Sequence, residues 1–271
     1  MPELPEVETV VRGLRDEVVG RRFTHVSCHW PPQIVGLSPE AFASRLVGRC
    51  VEALNRRGKF IVFDLSEGAL LIHLKMTGRL YVAARGEREE ADRWLRAVFE
   101  MDDGRELRFS DLRKFGRLYL VSQASQVIGG LGPEPLSDDF TLDEFLARLA
   151  RRRGMIKPLL LNQRFIAGIG NIYADEALWL ARIDPRRRAD TLKPHEAERL
   201  YHAIRTVLED GIRYEGASVN WYRKADGATG SYQDHFNVYR RAGQPCSRCG
   251  ASIHKIRVGQ RGTHFCPTCQ V

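Results

Sequence analysis

The residues of this chain whose types and spacing could do chemistry lie at its two ends: Met1-Pro2-Glu3 and a set of four cysteines. Once Met1 is removed, Pro2 presents a free secondary amine, with the Glu3 carboxyl one residue away. A proline nitrogen donates no hydrogen bond to a helix or sheet. It is nevertheless a good nucleophile, able to form an iminium with a sugar carbon. A terminal amine titrates near ~7.7–8.0 against ~10.4 for a lysine, so roughly a tenth or more of it is neutral at pH 7. A neutral amine is what covalent catalysis at a carbonyl-like carbon requires. At the other end, Cys246-x2-Cys249-x16-Cys266-x2-Cys269 has the spacing of a tetrahedral all-thiolate zinc site. Four protein ligands leave no position open for water, so one structural zinc ion is expected.

These groups need elements to hold them. Pro5 suits the first turn of a helix. Val7, Val10, Val11, Leu14 and Val18 follow at helical spacing, and Gly20 is a plausible stop. The terminal amine is thus expected at the start of a packed helix. From Arg22 to about Val121 short apolar runs alternate with turn residues: 61–63, 70–72, 97–99, 107–109 and 118–120, with Asp102-Asp103-Gly104 as a hairpin turn. This predicts an antiparallel β sandwich or barrel. The turn-rich stretch 129–135 reads as a linker. Helical patterns follow over 142–149, 156–161, 172–181 and 195–211. Gly168 and Gly170 permit a tight turn before Asn171, which is expected to cap the next helix. Residues 219–233 read as a loop, and 252–265 as a hairpin with Arg261 at its tip, 259–262. Cys28 and Cys50 stand alone and read as small buried hydrophobes.

The chain has 271 residues, and a hydrophobic share of 43% beside a charged share of 28% reads as a globular protein long enough for more than one domain. It shows no apolar run near the ~20 residues of a membrane span and no signal-peptide layout, which leads to an expectation of the cytosol. The formal charge is +8, and six cations (Arg240, Arg241, Arg248, Lys255, Arg257 and Arg261) follow Asp234 with no acidic residue among them. A second basic group is Arg148, Arg151, Arg152, Arg153 and Lys157. Unopposed cations on a zinc module point to a phosphate backbone. Arg113-Lys114-Phe115 beside a turn, and Met76, could enter a duplex as wedges, although a core position would account for Met76 and Phe115 as well. Lys59, before a strand, could be an acid–base group or a solvated charge. Glu6 suits the helix dipole without any catalytic role.

Taken in order, these segments resemble the bacterial formamidopyrimidine-DNA glycosylase family, base-excision enzymes that remove oxidised purines. The resemblance rests on 1–9 (Met1-Pro2-Glu3-Leu4-Pro5-Glu6-Val7-Glu8-Thr9), Arg56-Arg57-Gly58-Lys59, His73-Leu74-x-Met76, Asp111-x-Arg113-Lys114-Phe115-Gly116 and 131–136. It continues through Gly168-x-Gly170-Asn171-Ile172-Tyr173-Ala174 and 261–267, and so spans nearly the whole chain. It implies an α+β, multidomain fold: a helix on a β sandwich over 1–132, a helix–two-turn–helix domain over 133–223, and a recognition loop with a zinc-finger hairpin over 224–271. It implies that Pro2 is the nucleophile, that Glu3 is its acid partner, and that Lys59 and Arg261 are proton donors in the elimination steps. By the same resemblance Met76, Arg113 and Phe115 fill the hole left by a flipped base. Lys157, Asn171 and Arg261 hold phosphates, Arg153 is a further DNA contact, and His73 joins the DNA-binding set. The implied partner is double-stranded DNA carrying oxidised bases, met by a monomer in the bacterial cytoplasm at the nucleoid.

Three places depart from the family pattern. Trp94-Leu95-Arg96 stands where many relatives are histidine-rich, so Arg93 or Arg96 is the expected replacement contact. Asn220 stands where some relatives are basic. Tyr239-Arg240-Arg241 replaces a common Tyr-Gly-Arg, which matters if that glycine needs positive φ. Two other readings remain open: an endonuclease VIII-like enzyme for oxidised pyrimidines, and a non-catalytic zinc-containing DNA-binding protein.

Overall fold

A computed structural model describes residues 1–219 and 221–271; Asn220, one of the three departures, lies outside the described residues. The chain forms two compact units, Met1–Gly130 with Glu215–Ser231, and Leu131–Tyr214 with Tyr232–Val271.

The first unit opens with α1 (Leu4–Val18), β1 (Phe23–Cys28) and α2 (Pro39–Leu46). Strands β2 (Val51–Arg57), β3 (Phe60–Leu65), β4 (Ala69–His73), β5 (Gly78–Ala84), β6 (Leu95–Met101), β7 (Arg105–Asp111) and β8 (Arg117–Val121) follow, then α3 (Ser125–Ile128). They make two antiparallel sheets of four strands, ordered β1-β6-β7-β5 and β2-β3-β4-β8. One core takes Val7, Val10, Val11, Leu14 and Val18 of α1 together with Phe23, Phe63, Phe99 and Phe109 of the strands. The α1 side chains lie on one stripe because they recur every three or four residues. Strand β4 is buried throughout: Leu70 and Ile72 join this core, while Ala69 and Leu71 join a second cluster with Val127 and Ile128 of α3. A strand covered on both faces loses the usual alternation.

The segment 215–231 packs with this unit because Tyr222 is buried in the same core. The expected division at 223/224 cuts through this segment, and the division at 132 falls two residues after the boundary at Gly130.

The second unit holds α4 (Leu142–Ala150), α5 (Ile156–Leu161), α6 (Asn171–Leu180) and α7 (Pro194–Arg213), then the hairpin β9 (His254–Val258) and β10 (Arg261–Phe265). Phe140, Phe145, Phe165 and Tyr201 form an aromatic cluster beneath α4 and α7. A second cluster joins Trp179 of α6 to Val238, Cys246, Ile253 and Cys266. Thus the zinc module shares one unit with the helices.

Candidate active site

Pro2 and Glu3 are both buried, immediately before the first turn of α1. Their backbone is fixed by Glu6. Its Oε2 accepts from the Glu3 N–H at 2.8 Å, and its Oε1 accepts from the Ala217 N–H at 2.8 Å. One buried carboxylate therefore joins the reactive terminus to the segment 215–231. Gly216 allows this close approach: its φ is +82°, and a β-carbon there would lie 2.9 Å from Glu6 Cγ. The helix dipole alone had been enough to account for Glu6. The clamp was missed because its partner lies over two hundred residues away.

Lys59 sits in the turn between β2 and β3, where Gly58 has φ 58°. It is buried, which disposes of the solvated-charge reading. The preceding strand β2 is tied to α1 by Arg56, whose Nε donates to Glu8 at 2.9 Å. Burial opposes ionisation of Glu8, but bonds from Arg12 and Arg56 hold its carboxyl below the usual range. His73 lies opposite Phe60 in the register of β3 and β4 and packs edge-on against its ring. The Lys75 N–H donates to His73 Nδ1 at 3.0 Å, which leaves the ring proton on Nε2. Burial first, then the charges of Lys75 and Lys59, push the His73 pKa down to about 3. At neutral pH this histidine is an uncharged N–H donor.

Met76, Arg113 and Phe115 come together. The Arg113 guanidinium lies 4.6 Å from the centre of the Phe115 ring and 2.9 Å from Met76 Sδ. Met76 is 43% and Phe115 44% exposed, so neither is a core residue. Asp111, at the end of β7 and almost wholly buried, is the base of this projection. Its Oδ1 accepts from Thr77 Oγ1 and from the Arg113 N–H, and its Oδ2 accepts from the Gly116 N–H at 2.7 Å. Arg96, one of the two expected replacements for the histidine contact, is half-buried, and its Nε donates to the Asp111 carbonyl at 2.9 Å. Arg93 is exposed, over the ring of Trp94.

On the second unit, Arg153 and Arg261 are exposed and available to phosphates. Gly259 (φ 53°) and Gln260 (φ 66°) make a two-residue hairpin turn, so Arg261 is the first residue of β10, paired with Val258, rather than part of the tip. Lys157, expected at a phosphate, is instead fully buried. Its Nζ lies 2.6 Å from Asp175 Oδ1 and donates to Thr263 Oγ1 at 2.8 Å and the Gly262 carbonyl at 3.1 Å. Asn171 does not cap α6 either. Gly170 is the N-cap, and Asn171 Nδ2 donates to the same Gly262 carbonyl at 3.0 Å. Of the two glycines before it, only Gly168 has positive φ. Lys157 and Asn171 therefore converge on the residue next to Arg261.

The four cysteine sulfurs lie within 4.8 Å of one another. Zinc–thiolate bonds of about 2.3 Å require tetrahedral edges of about 3.8 Å, so the cluster fits one structural zinc ion. Trp179 Nε1 and the Cys269 N–H donate to cysteine sulfurs at 3.4 and 3.3 Å, contacts that favour the thiolate. Upstream, Glu176 accepts from the N–H groups of Asn237, Val238 and Tyr239 at 2.8–3.0 Å. Burial raises its pKa despite these bonds. Arg240 follows with φ 61°. The position does have the backbone that suits glycine, and arginine occupies it at a cost of about 1–2 kcal/mol. Cys28 and Cys50 are half-buried, not core.

Residues 1–118 match the model of the formamidopyrimidine-DNA glycosylase N-terminal domain, 131–223 that of its H2TH domain, and 243–271 a zinc finger found in FPG and IleRS. The formamidopyrimidine-DNA glycosylase of Herpetosiphon aurantiacus is 49% identical over 274 residues, covering all of both chains. The Lactococcus lactis Fpg bound to abasic-site DNA superposes with a TM-score of 0.90 at 36% identity, covering 99% of each chain. A variant of that protein bound to Fapy-dG DNA gives 0.92 at 36%, with the same coverage.

Proposed function

The chain belongs to the formamidopyrimidine-DNA glycosylase family, and from that premise we propose that it excises oxidised purines from DNA and then cleaves the strand. The observation that carries this reading is the buried Pro2–Glu3 terminus clamped by Glu6. A flexible tail could not hold a nucleophile within bonding distance of one carbon.

Met1 is about half exposed and must be removed first. Met76, Arg113 and Phe115 then enter the duplex as the damaged nucleotide turns out. The Pro2 nitrogen attacks C1′ of the sugar, Glu3 protonates the ring oxygen as the ring opens, and the base leaves with its bonding pair. The resulting iminium acidifies the C2′ hydrogen. Loss of that proton expels the 3′ phosphate, and a second elimination releases the 5′ phosphate, leaving a one-nucleotide gap. Lys59 and Arg261 serve as proton donors in these steps, and His73 and Arg153 are DNA contacts. Lys157 and Asn171 act on DNA through Gly262, by fixing Arg261. The zinc ion holds the hairpin and takes no part in the bond changes. Among the described residues no helix is long and apolar enough to cross a membrane, and a DNA substrate places a monomeric enzyme on the chromosome in the bacterial cytoplasm.

Borohydride trapping on a duplex with 8-oxoguanine opposite cytosine tests the reading, with an undamaged duplex as control. The expected adduct forms only with the damaged strand and maps to Pro2. Pro2→Gly, a primary amine with altered packing, should cut the lyase step sharply; undiminished trapping at the same rate would remove Pro2 from the mechanism. No adduct with zinc-loaded protein lacking Met1, but one with thymine glycol, would move the assignment to oxidised pyrimidines.

A further inference from the structure

The segment 215–231 runs from the reactive terminus toward the base of the projecting residues. At one end Ala217 is bonded to Glu6, which also holds Glu3. At the other, Gly227 (φ +85°) comes so close to the Arg79 guanidinium that a β-carbon would lie 2.9 Å from it. Between these anchors the segment borders an open cleft lined by Thr77, Arg79, Trp94, Asp111, Trp221 and Arg223 among others. Thr77 and Asp111 are the residues on which Arg113 is mounted. A nucleoside whose sugar meets Pro2 while the duplex is parted by Met76 and Arg113 must carry its base past this segment.

Tyr222 points inward and is buried, while its neighbour Trp221 is 50% exposed. Among the described residues the aromatic partner of Trp221 is Trp94, edge to face, with centroids 5.7 Å apart and planes at 81°. Trp94 stands on firm ground. It ends a short 3-10 turn (Glu90–Trp94) whose Asp92 accepts from the Tyr81 hydroxyl at 2.5 Å and from Arg108 at 3.1 Å. We infer that Trp94 is a positioning residue for base excision. It fixes Trp221, and with it its described neighbours 217–219, 222 and 223, beside the cleft to which we assign the turned-out base. This rests on the glycosylase reading above. An abasic sugar has no base for the segment to hold, so strand cleavage at an abasic site is indifferent to Trp94.

The test compares wild type, Trp94→Ala and Trp94→Phe in single-turnover assays. The substrates are a duplex with 8-oxoguanine opposite cytosine and the same duplex with an abasic site. Hydrogen exchange of 217–223 without DNA is the second readout. Loss of one edge-to-face aromatic pair predicts about a three- to tenfold slower excision in the alanine variant. Abasic cleavage should stay within about twofold, exchange at 217–223 should quicken, and phenylalanine should restore both excision and protection. Equal losses on the two substrates would make Trp94 merely structural and overturn the inference. So would unchanged excision, or exchange unchanged from wild type. A wild-type protein that cleaves abasic DNA but leaves 8-oxoguanine in place would instead overturn the purine reading, and this inference with it.

Discussion

At the residue scale the most telling side chains are buried polar ones. His73 is neutral because its surroundings exclude charge, and this has a cost in acid. The unfolded chain takes up a proton near pH 6.5, whereas the folded chain does so only near 3. Between those values the unfolded state binds more protons, so stability falls as pH falls from 6.5. Wild type should lose about 1–2 kcal/mol by pH 5 from this group, and His73→Gln should lack that part of the slope. Urea melts at pH 5 and 8 measure it, and parallel slopes would show that His73 is not the group involved. Lys157 belongs at this scale too. The family resemblance implies that it holds a phosphate, and nothing in the basic run around 148–157 distinguishes the one member that turns inward to Asp175.

At the scale of elements, the β9–β10 hairpin is held against α6 as much as by its metal. Asp175 pairs with Lys157 and accepts the His264 N–H at 2.9 Å, and Gln270 donates to the Ile183 carbonyl at 2.9 Å. Breaking one side of a buried ion pair costs about 3–5 kcal/mol because the other charge is left alone. Lys157→Met should therefore destabilise the protein by that order. Asp175→Asn added to it should recover a good part, since the orphaned carboxylate is then gone. Additive losses in thermal melts would argue against coupling. The strands show what kind of element sequence reveals. The five apolar runs all fall in strands, β3, β4, β6, β7 and β8. Of the three strands that carried no such run, β1 and β2 are sheet edges with two fully buried positions each, whereas β5, also an edge, does hold the run Leu-Tyr-Val-Ala and is the one that pattern reading passed over. An edge strand half open to water needs few apolar residues, so β2 reads Val-Glu-Ala-Leu-Asn-Arg-Arg and shows only two fully buried positions.

For the molecule as a whole, the motifs at the two ends carried the reading, because a nucleophile and four metal ligands are set by atom type. What sequence could not show was pairing across long separations, such as Glu6 with Ala217 or Trp94 with Trp221. Such contacts follow from the tertiary path of the chain and leave no local periodicity. Charge, by contrast, is fully legible. A formal charge of +8, with six cations after Asp234, predicts DNA binding that weakens steeply with salt. About five phosphate contacts would give a log–log slope near about −4.5, and Arg153→Ala should reduce its magnitude by about one. Affinities measured from 50 to 200 mM salt check this, and an unchanged slope would remove Arg153 from the interface.

The mounting of Met76, Arg113 and Phe115 on one buried carboxylate has a mechanical consequence. Asp111 ties Thr77, Arg113 and Gly116 together, and a β-carbon on Gly116 would collide with the Phe109 ring. The turn that carries the tips is therefore pinned at three points to one buried residue. When a turn so pinned presses on a helix, the compliance lies in the nucleic acid. The time spent at any step is then set by how readily that step unstacks. On the wedge role proposed for these residues, a probe mounted in this way would sort sites by their softness before any base is recognised.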